Sequence, residues 1–259
     1  MIVERRGPVL WLINNNPAAR NALTLEYTTG AARELRAASD DPGISAVVLA
    51  GAEGFFCAGG DLNVLIKRRE MPVPDRIATI GILHEMIRAI RACTRPVIAA
   101  VEGGAAGAGA SIALACDLVV AERDAYFVVS YLRVGLTPDG GATAFLSECL
   151  PRQLVNEIVM FGDKVPAERL YAAGAVNRLA EPGQAGAEAQ ALGERLHGVG
   201  PNALAGAKGL IAQARDNDLD AQLDAEARLM AEAQGGAESG EGISAFLEKR
   251  RPDFTKFRT

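Results

Sequence analysis

Two glycine-rich segments are the first candidates for chemistry: Phe55-Phe56-Cys57-Ala58-Gly59-Gly60-Asp61-Leu62 and Gly103-Gly104-Ala105-Ala106-Gly107-Ala108-Gly109-Ala110-Ser111. Each follows a short apolar run, at residues 46–50 and 97–101, and opens toward a helix. Glycine lets a ligand approach bare backbone N–H groups, and a helix N-terminus adds the positive end of its dipole. One such run by itself also suits tight helix packing. Two of them, each after a strand, point to two N–H groups aimed at a single oxygen, an oxyanion hole. The glycines of the second segment are not in GxGxxG order, which counts against a dinucleotide loop, and no Gly-Lys-Ser/Thr follows, so a nucleotide-phosphate loop is excluded; an NAD-linked enzyme would have to show cofactor binding, and none is expected.

The titratable candidates are few. Asp139 lies in Thr137-Pro138-Asp139-Gly140-Gly141, where it reads as the N-cap of the next helix or as a carboxylate facing a ligand. His84 shares three- and four-residue spacing with Ile77, Ile80 and Ile87, which makes a core histidine the default. Cys57 reads as buried packing, His197 as a surface residue and Glu102 as a structural hydrogen-bonding group. The basic cluster Lys67-Arg68-Arg69 reads as a solvated face, with a contact to phosphates as the sharper alternative.

The elements that must hold these residues alternate. Residues 2–6 and 9–13 read as strands around the turn Gly7-Pro8, and Thr24 caps a helix running to about residue 38. The runs 46–50, 97–101 and 118–121 are near-continuously apolar, as expected of strands covered on both faces. A helix is expected over 77–91, after a mobile surface excursion at 68–76. Residues 127–129 and 176–179 read as short extended pieces, and everything after about 183 as helical. This pattern predicts an α/β fold with a parallel sheet, and it divides the chain into a core at 1–199 and a helical region at 200–259. That region is too small to bury both its faces alone, so it is expected to pack on the core or on another subunit.

The chain has 259 residues, 49% of them hydrophobic and 23% charged, with a formal net charge of −5. That composition supports a packed core and shows no nucleic-acid footprint. The four cysteines form no CxxC pair and have no metal-type spacing; three of them sit in apolar or small-residue surroundings, so buried free thiols in a reducing compartment are expected. No run reaches the length of a membrane span and the N-terminus does not read as a signal peptide, so a soluble, cytoplasmic protein is expected.

Five motifs in order then carry a resemblance: Asn16-Pro17 with Arg20-Asn21-Ala22-Leu23; residues 56–62; residues 95–103 through Cys116-Asp117-Leu118; residues 135–141; and residues 242–250. Together they resemble the crotonase (enoyl-CoA hydratase/isomerase) superfamily over essentially the whole chain. The resemblance implies a spiral of ββα units with a helical C-terminal trimerisation region, assembled as a homotrimer or a dimer of trimers. It implies an acyl-coenzyme A thioester as substrate, with no metal or redox cofactor, coenzyme A arriving as part of the substrate. By position, the oxyanion donors are the N–H groups of Gly60 and Ala108. Arg20 and Ala22, then Ala58, Asp61 and Leu62, match segments that hold coenzyme A, and Lys249 and Phe246 match C-terminal positions that reach a coenzyme A site.

The chain departs from the family's hydratases at two positions. Where they carry glutamates, it has Ser111 and Tyr131, neither of which is a carboxylate base at neutral pH. Asp139 matches the catalytic aspartate of some superfamily isomerases, including those resembling phenylacetyl-CoA pathway enzymes. The implied activity is double-bond isomerisation of an enoyl-CoA in fatty-acid or aromatic-acid catabolism, with Tyr131 and Tyr126 shaping the pocket. Asp139 with His84 also matches the nucleophile and base of the dehalogenase branch, although that branch's tryptophans are replaced by Leu83 and Tyr131. Hydrolysis or ring opening, as in oxepin-CoA hydrolase-like sequences, stays open, as does a non-catalytic member that only binds coenzyme A thioesters.

Overall fold

The structure, a computed structural model, describes residues 1–258. It opens with β1 (Ile2–Arg6) and β2 (Val9–Asn14), an antiparallel pair joined through Gly7, whose φ of +59° suits glycine. α1 (Leu25–Asp40) follows, and its Thr24 cap accepts from the Tyr27 N–H at 3.1 Å. β3 (Ala46–Gly51), α2 (Leu62–Arg68) and α3 (Val73–Ala92) come next, then β4 (Val97–Val101), β5 (Gly104–Ala106) and α4 (Ala108–Ala115). β6 (Leu118–Glu122), β7 (Tyr126–Val128), α5 (Ala142–Cys149) and α6 (Arg152–Phe161) lead to β8 (Val165–Pro166), α7 (Ala167–Ala172) and β9 (Arg178–Ala180). The chain ends in α8 (Ala185–His197), α9 (Pro201–Gln213), α10 (Leu219–Gln234) and α11 (Ala237–Leu247).

The main sheet has the order β1-β2-β3-β4-β6-β9 and is parallel from β2 onward. A smaller sheet, β5-β7-β8, stands beside it, and an isolated bridge from Cys57 to Ala105 adds one more rung. The repeating unit is ββα: β1, β2 and α1, then β4, β5 and α4. Apolar strands follow from two covered faces. Val47, Leu49, Val97 and Ala99 pack into the core under α1, α3 and α4, while Val48, Ile98 and Val120 pack with Trp11 against α8.

Three expectations need correction. The supposed excursion at 68–76 is mostly helical, because α2 runs to Arg68 and α3 starts at Val73 behind Pro72; a proline at a helix start costs no hydrogen bond. The segment after Gly103 contains a strand, β5, which pairs with β7. His197 is half-buried, and its Nδ1 is enclosed with no hydrogen-bond partner among the described residues. The chain is also continuous in packing across residue 200. Lys208 on α9 reaches Asp117 at 2.6 Å and donates to the carbonyls of Ile90 and Arg95.

Candidate active site

The two glycine-rich loops lie against each other at the ends of β3 and β4. Three backbone bonds lock them in register: Phe56 N–H to Glu102 O at 3.0 Å, Cys57 N–H to Gly104 O at 3.3 Å and Ala106 N–H to Cys57 O at 2.9 Å. This approach requires glycine. A Cβ on Gly59, at φ +83°, would sit 2.6 Å from Ala106 O and 3.1 Å from Ala108 N. A Cβ on Gly109 would sit 2.4 Å from Cys57 O. Ala108 is the first residue of α4, so its N–H has no acceptor within the helix. Among the described residues neither the Gly60 nor the Ala108 N–H is tied into a ladder or turn. Both residues line one cavity of about 1100 Å³, together with Ala58, Asp61, Leu62, Tyr131 and Asp139.

Ser111, Tyr131 and Asp139 form the polar centre of that wall. Gly140 and Gly141, at φ +61° and +82°, turn the chain into α5, whose N-cap is Gly141. Of the two alternatives for Asp139, the N-cap is thereby excluded, because the cap lies two residues later and Asp139's carboxyl serves another partner. The Tyr131 hydroxyl donates to Asp139 Oδ1 at 2.7 Å, and the Ser111 hydroxyl donates to the Asp139 carbonyl at 3.0 Å. Burial, and then the neighbouring Asp139 carboxylate, push the Tyr131 phenol well above its usual range, so it stays a neutral donor. The two positions where the resemblance expected glutamates therefore both hold Asp139.

The remaining sequence candidates are spread out. Asp61 caps α2, accepting from the Asn63 N–H at 2.8 Å. Arg20 and Ala22 are not in the cavity wall, where Leu23 and Thr24 stand instead. Arg20 lies with its guanidinium 5.9 Å from the Phe55 ring centre, and its carbonyl accepts from the Ala58 N–H at 3.0 Å. Lys249 is exposed beyond α11 and is likewise outside the wall. His84 is half-buried and absent from the wall, which α3 builds with Ile77, Ile80 and Leu83. His84 shares the helix face of Ile77 and Ile80 but lies one to two turns further along α3, beyond the stretch that lines the cavity, and no hydrogen bond joins it to Asp139 among the described residues. The apolar stripe of α3 is thus partly a cavity wall, with Ile77 63% exposed.

Cys57 is inert, because burial pushes its thiol up to about 12. Cys93 and Cys116 are also buried free thiols, and Cys149 is exposed. Asn21, not singled out in the sequence, fixes the loop below the site. It is fully buried at φ +54° and donates to the carbonyls of Ala52 and Phe55. Its signal was present as an asparagine in a turn-rich segment, a residue type that tolerates positive φ. Arg68, Arg69 and Arg76 are in the wall; Lys67 and Arg69 are exposed, as the solvated reading of the basic cluster expects, Arg68 is half-buried, and nothing in the sequence marked Arg76.

The chain is similar to known proteins over nearly its full length. Residues 5–257 match the family model described as enoyl-CoA hydratase/isomerase. The chain is 36% identical to 2,3-dehydroadipyl-CoA hydratase of Escherichia coli, over 98% of both chains. It is 34% identical to 1,2-epoxyphenylacetyl-CoA isomerase of the same organism, over 95% of each. A solved enoyl-CoA hydratase from Polaromonas sp. JS666 superposes with a TM-score of 0.95 at 44% identity, covering 97% of this chain and 98% of that one. The sheet of ββα units, the paired loops and the match over nearly the full length have one reading: the chain belongs to the enoyl-CoA hydratase/isomerase family of the crotonase superfamily.

Proposed function

We propose that this protein isomerises the double bond of an enoyl-CoA, with Asp139 as the acid/base. The thioester oxygen sits between the N–H groups of Gly60 and Ala108, and α4 adds the positive end of its dipole there. Asp139 takes a proton from the γ or α carbon, the oxyanion donors hold the dienolate, and Asp139 returns the proton at the other carbon. Tyr131 keeps one carboxylate oxygen occupied, which leaves the other for the proton. The reading is carried by Tyr131 and Ser111 both bonding to Asp139, in a wall whose other acid, Asp61, caps a helix. One carboxylate suffices for a proton shuttle, whereas hydration needs one group to activate water and another to protonate carbon. Coenzyme A is part of the substrate, held along residues 58–62, and no metal takes part. The relative named 1,2-epoxyphenylacetyl-CoA isomerase supports an aromatic or fatty acyl group from a catabolic route.

The test is a panel of 3-enoyl-, 2-enoyl- and aryl-CoA thioesters incubated in deuterated water and followed by mass spectrometry and absorbance. Deuterium entry at the α or γ carbon with no gain of water is expected, and Asp139→Asn is expected to slow it about 100- to 10,000-fold. Gain of water would replace isomerisation with hydration or ring hydrolysis. Tight binding without any conversion, unchanged in Asp139→Asn, would make the chain a coenzyme A thioester-binding protein.

A further inference from the structure

We propose that Arg68, Arg69 and Arg76 form an anion subsite that selects acyl-CoA substrates whose acyl chain ends in a carboxylate. This subsite rests on the acyl-CoA reading above and adds the chemistry of the far end of the chain. The end of α2 and the first turns of α3 bring the three guanidinium groups to the cavity wall. Some arginines elsewhere hold carboxylates: Arg36 and Arg88 both hold Glu85, and Arg169 holds Glu157. Among the described residues Arg68, Arg69 and Arg76 make no ion pair and no side-chain hydrogen bond, although Arg68 is half-buried. Their sequence neighbours Glu70 and Asp75 are outside the wall. The two acids in the wall are engaged, Asp61 with the Asn63 N–H and Asp139 with Tyr131.

The surroundings are apolar, with Ile66, Val73, Ile77 and Ile80 in the same wall. Of the three, the half-buried Arg68 loses part of its hydration, and a carboxylate restores it through paired N–H···O bonds. Arg69 and Arg76 are exposed at the edge of the cavity and Arg68 is half-buried beside them, and three like charges placed together sum to a positive potential that no ion pair among the described residues neutralises. The placement suits the far end of an acyl chain. Arg68 leaves α2 about 9 Å along the helix axis from Leu62, which lies two residues from the Gly60 donor. The phosphates of coenzyme A offer the same oxygen chemistry, so the experiment separates the two sources.

Two saturated acyl-CoA thioesters of equal chain length, one ending in methyl and one in carboxylate, are titrated calorimetrically into the wild-type protein and into an Arg68→Gln/Arg76→Gln variant. A dephospho-coenzyme A thioester of the methyl-ended chain forms a third arm. The expected result is a wild-type preference for the carboxylate-ended chain of about 10- to 100-fold, falling close to unity in the variant and partly kept in Arg68→Lys/Arg76→Lys. Equal weakening of both CoA thioesters in the variant, matched by weak binding of the dephospho form to wild type, would assign the subsite to a coenzyme A phosphate and overturn the acyl-terminal assignment. No wild-type preference, or a preference untouched by the substitutions, would overturn the subsite itself. Saturated thioesters do not react, so this outcome is independent of whether Asp139 moves a proton. None of the exchanged side chains has a protein partner, and an unchanged Tm confirms that the variants fold.

Discussion

At the scale of single residues, the site turns on one hydroxyl. Tyr131 donates to Asp139 Oδ1 at 2.7 Å, and its phenol is held in the neutral form by burial. It touches the Asp139 carboxylate, so its part in the proposed proton shuttle is orientation. Tyr131→Phe removes the donor while keeping the ring that packs against the core. We expect kcat to fall about 10-fold with KM and Tm nearly unchanged, as measured by steady-state kinetics and thermal unfolding. A rise in KM equal to the fall in kcat/KM would mean that Tyr131 serves substrate binding instead. Ser111 differs, because its bond goes to the Asp139 carbonyl and fixes the loop rather than the carboxyl group.

At the scale of elements, helix ends do most of the positioning. α4 presents Ala108 only because Gly59 and Gly109 let the neighbouring loop lie against it. α8 is finished from a distance: Arg258, 6% exposed, donates to the carbonyls of Leu196, His197 and Val199 at the helix end, and to Ile44. Burial, and then the guanidinium of Arg258, hold the His197 imidazole below its usual value. The folded chain therefore binds fewer protons at His197 than the unfolded chain does. Stability from this group is present above the ordinary histidine value of about 6.5 and is lost as pH falls below it. Urea unfolding at several values between about pH 8 and pH 5 is expected to show this decline, and His197→Gln is expected to flatten it. An equally steep decline in that variant would place the titration elsewhere.

At the scale of the whole molecule, the C-terminal helices leave apolar surface uncovered. α10 contributes no buried residue, while Met230, Phe246 and Leu247 are 63%, 83% and 74% exposed. Exposed apolar side chains concentrated in one region mark a contact surface, and we propose that it is covered in the homotrimer or dimer of trimers implied by the resemblance. Sedimentation analysis is expected to find three or six times the 27.1 kDa chain mass. Phe246→Glu with Leu247→Glu is expected to shift it to smaller species. A wild-type monomer at micromolar concentration would overturn this assembly.

Much of this molecule was legible in its residues. Apolar runs at 46–50, 97–101 and 118–121 identify buried parallel strands, because only a strand covered on both faces drops its alternation. The paired glycine segments identify the approach of two loops, since only glycine survives a backbone neighbour under 3 Å away, as at Gly59 and Gly109. The ordered motifs identify the family. Tertiary structure alone decided which groups meet. Periodicity marks a helix face but not what the face meets, so the stripe of α3 turned out to be partly cavity wall and His84 lay outside it. Local propensity allowed Asp139 to cap a helix, and the phenol of Tyr131, eight residues earlier in the chain, took its carboxylate instead. A run of basic residues reads as solvated surface, and Lys67 and Arg69 are exposed, but only folding sets Arg68 and Arg69 beside Arg76 along one cavity, because one-dimensional spacing carries no record of which charges meet.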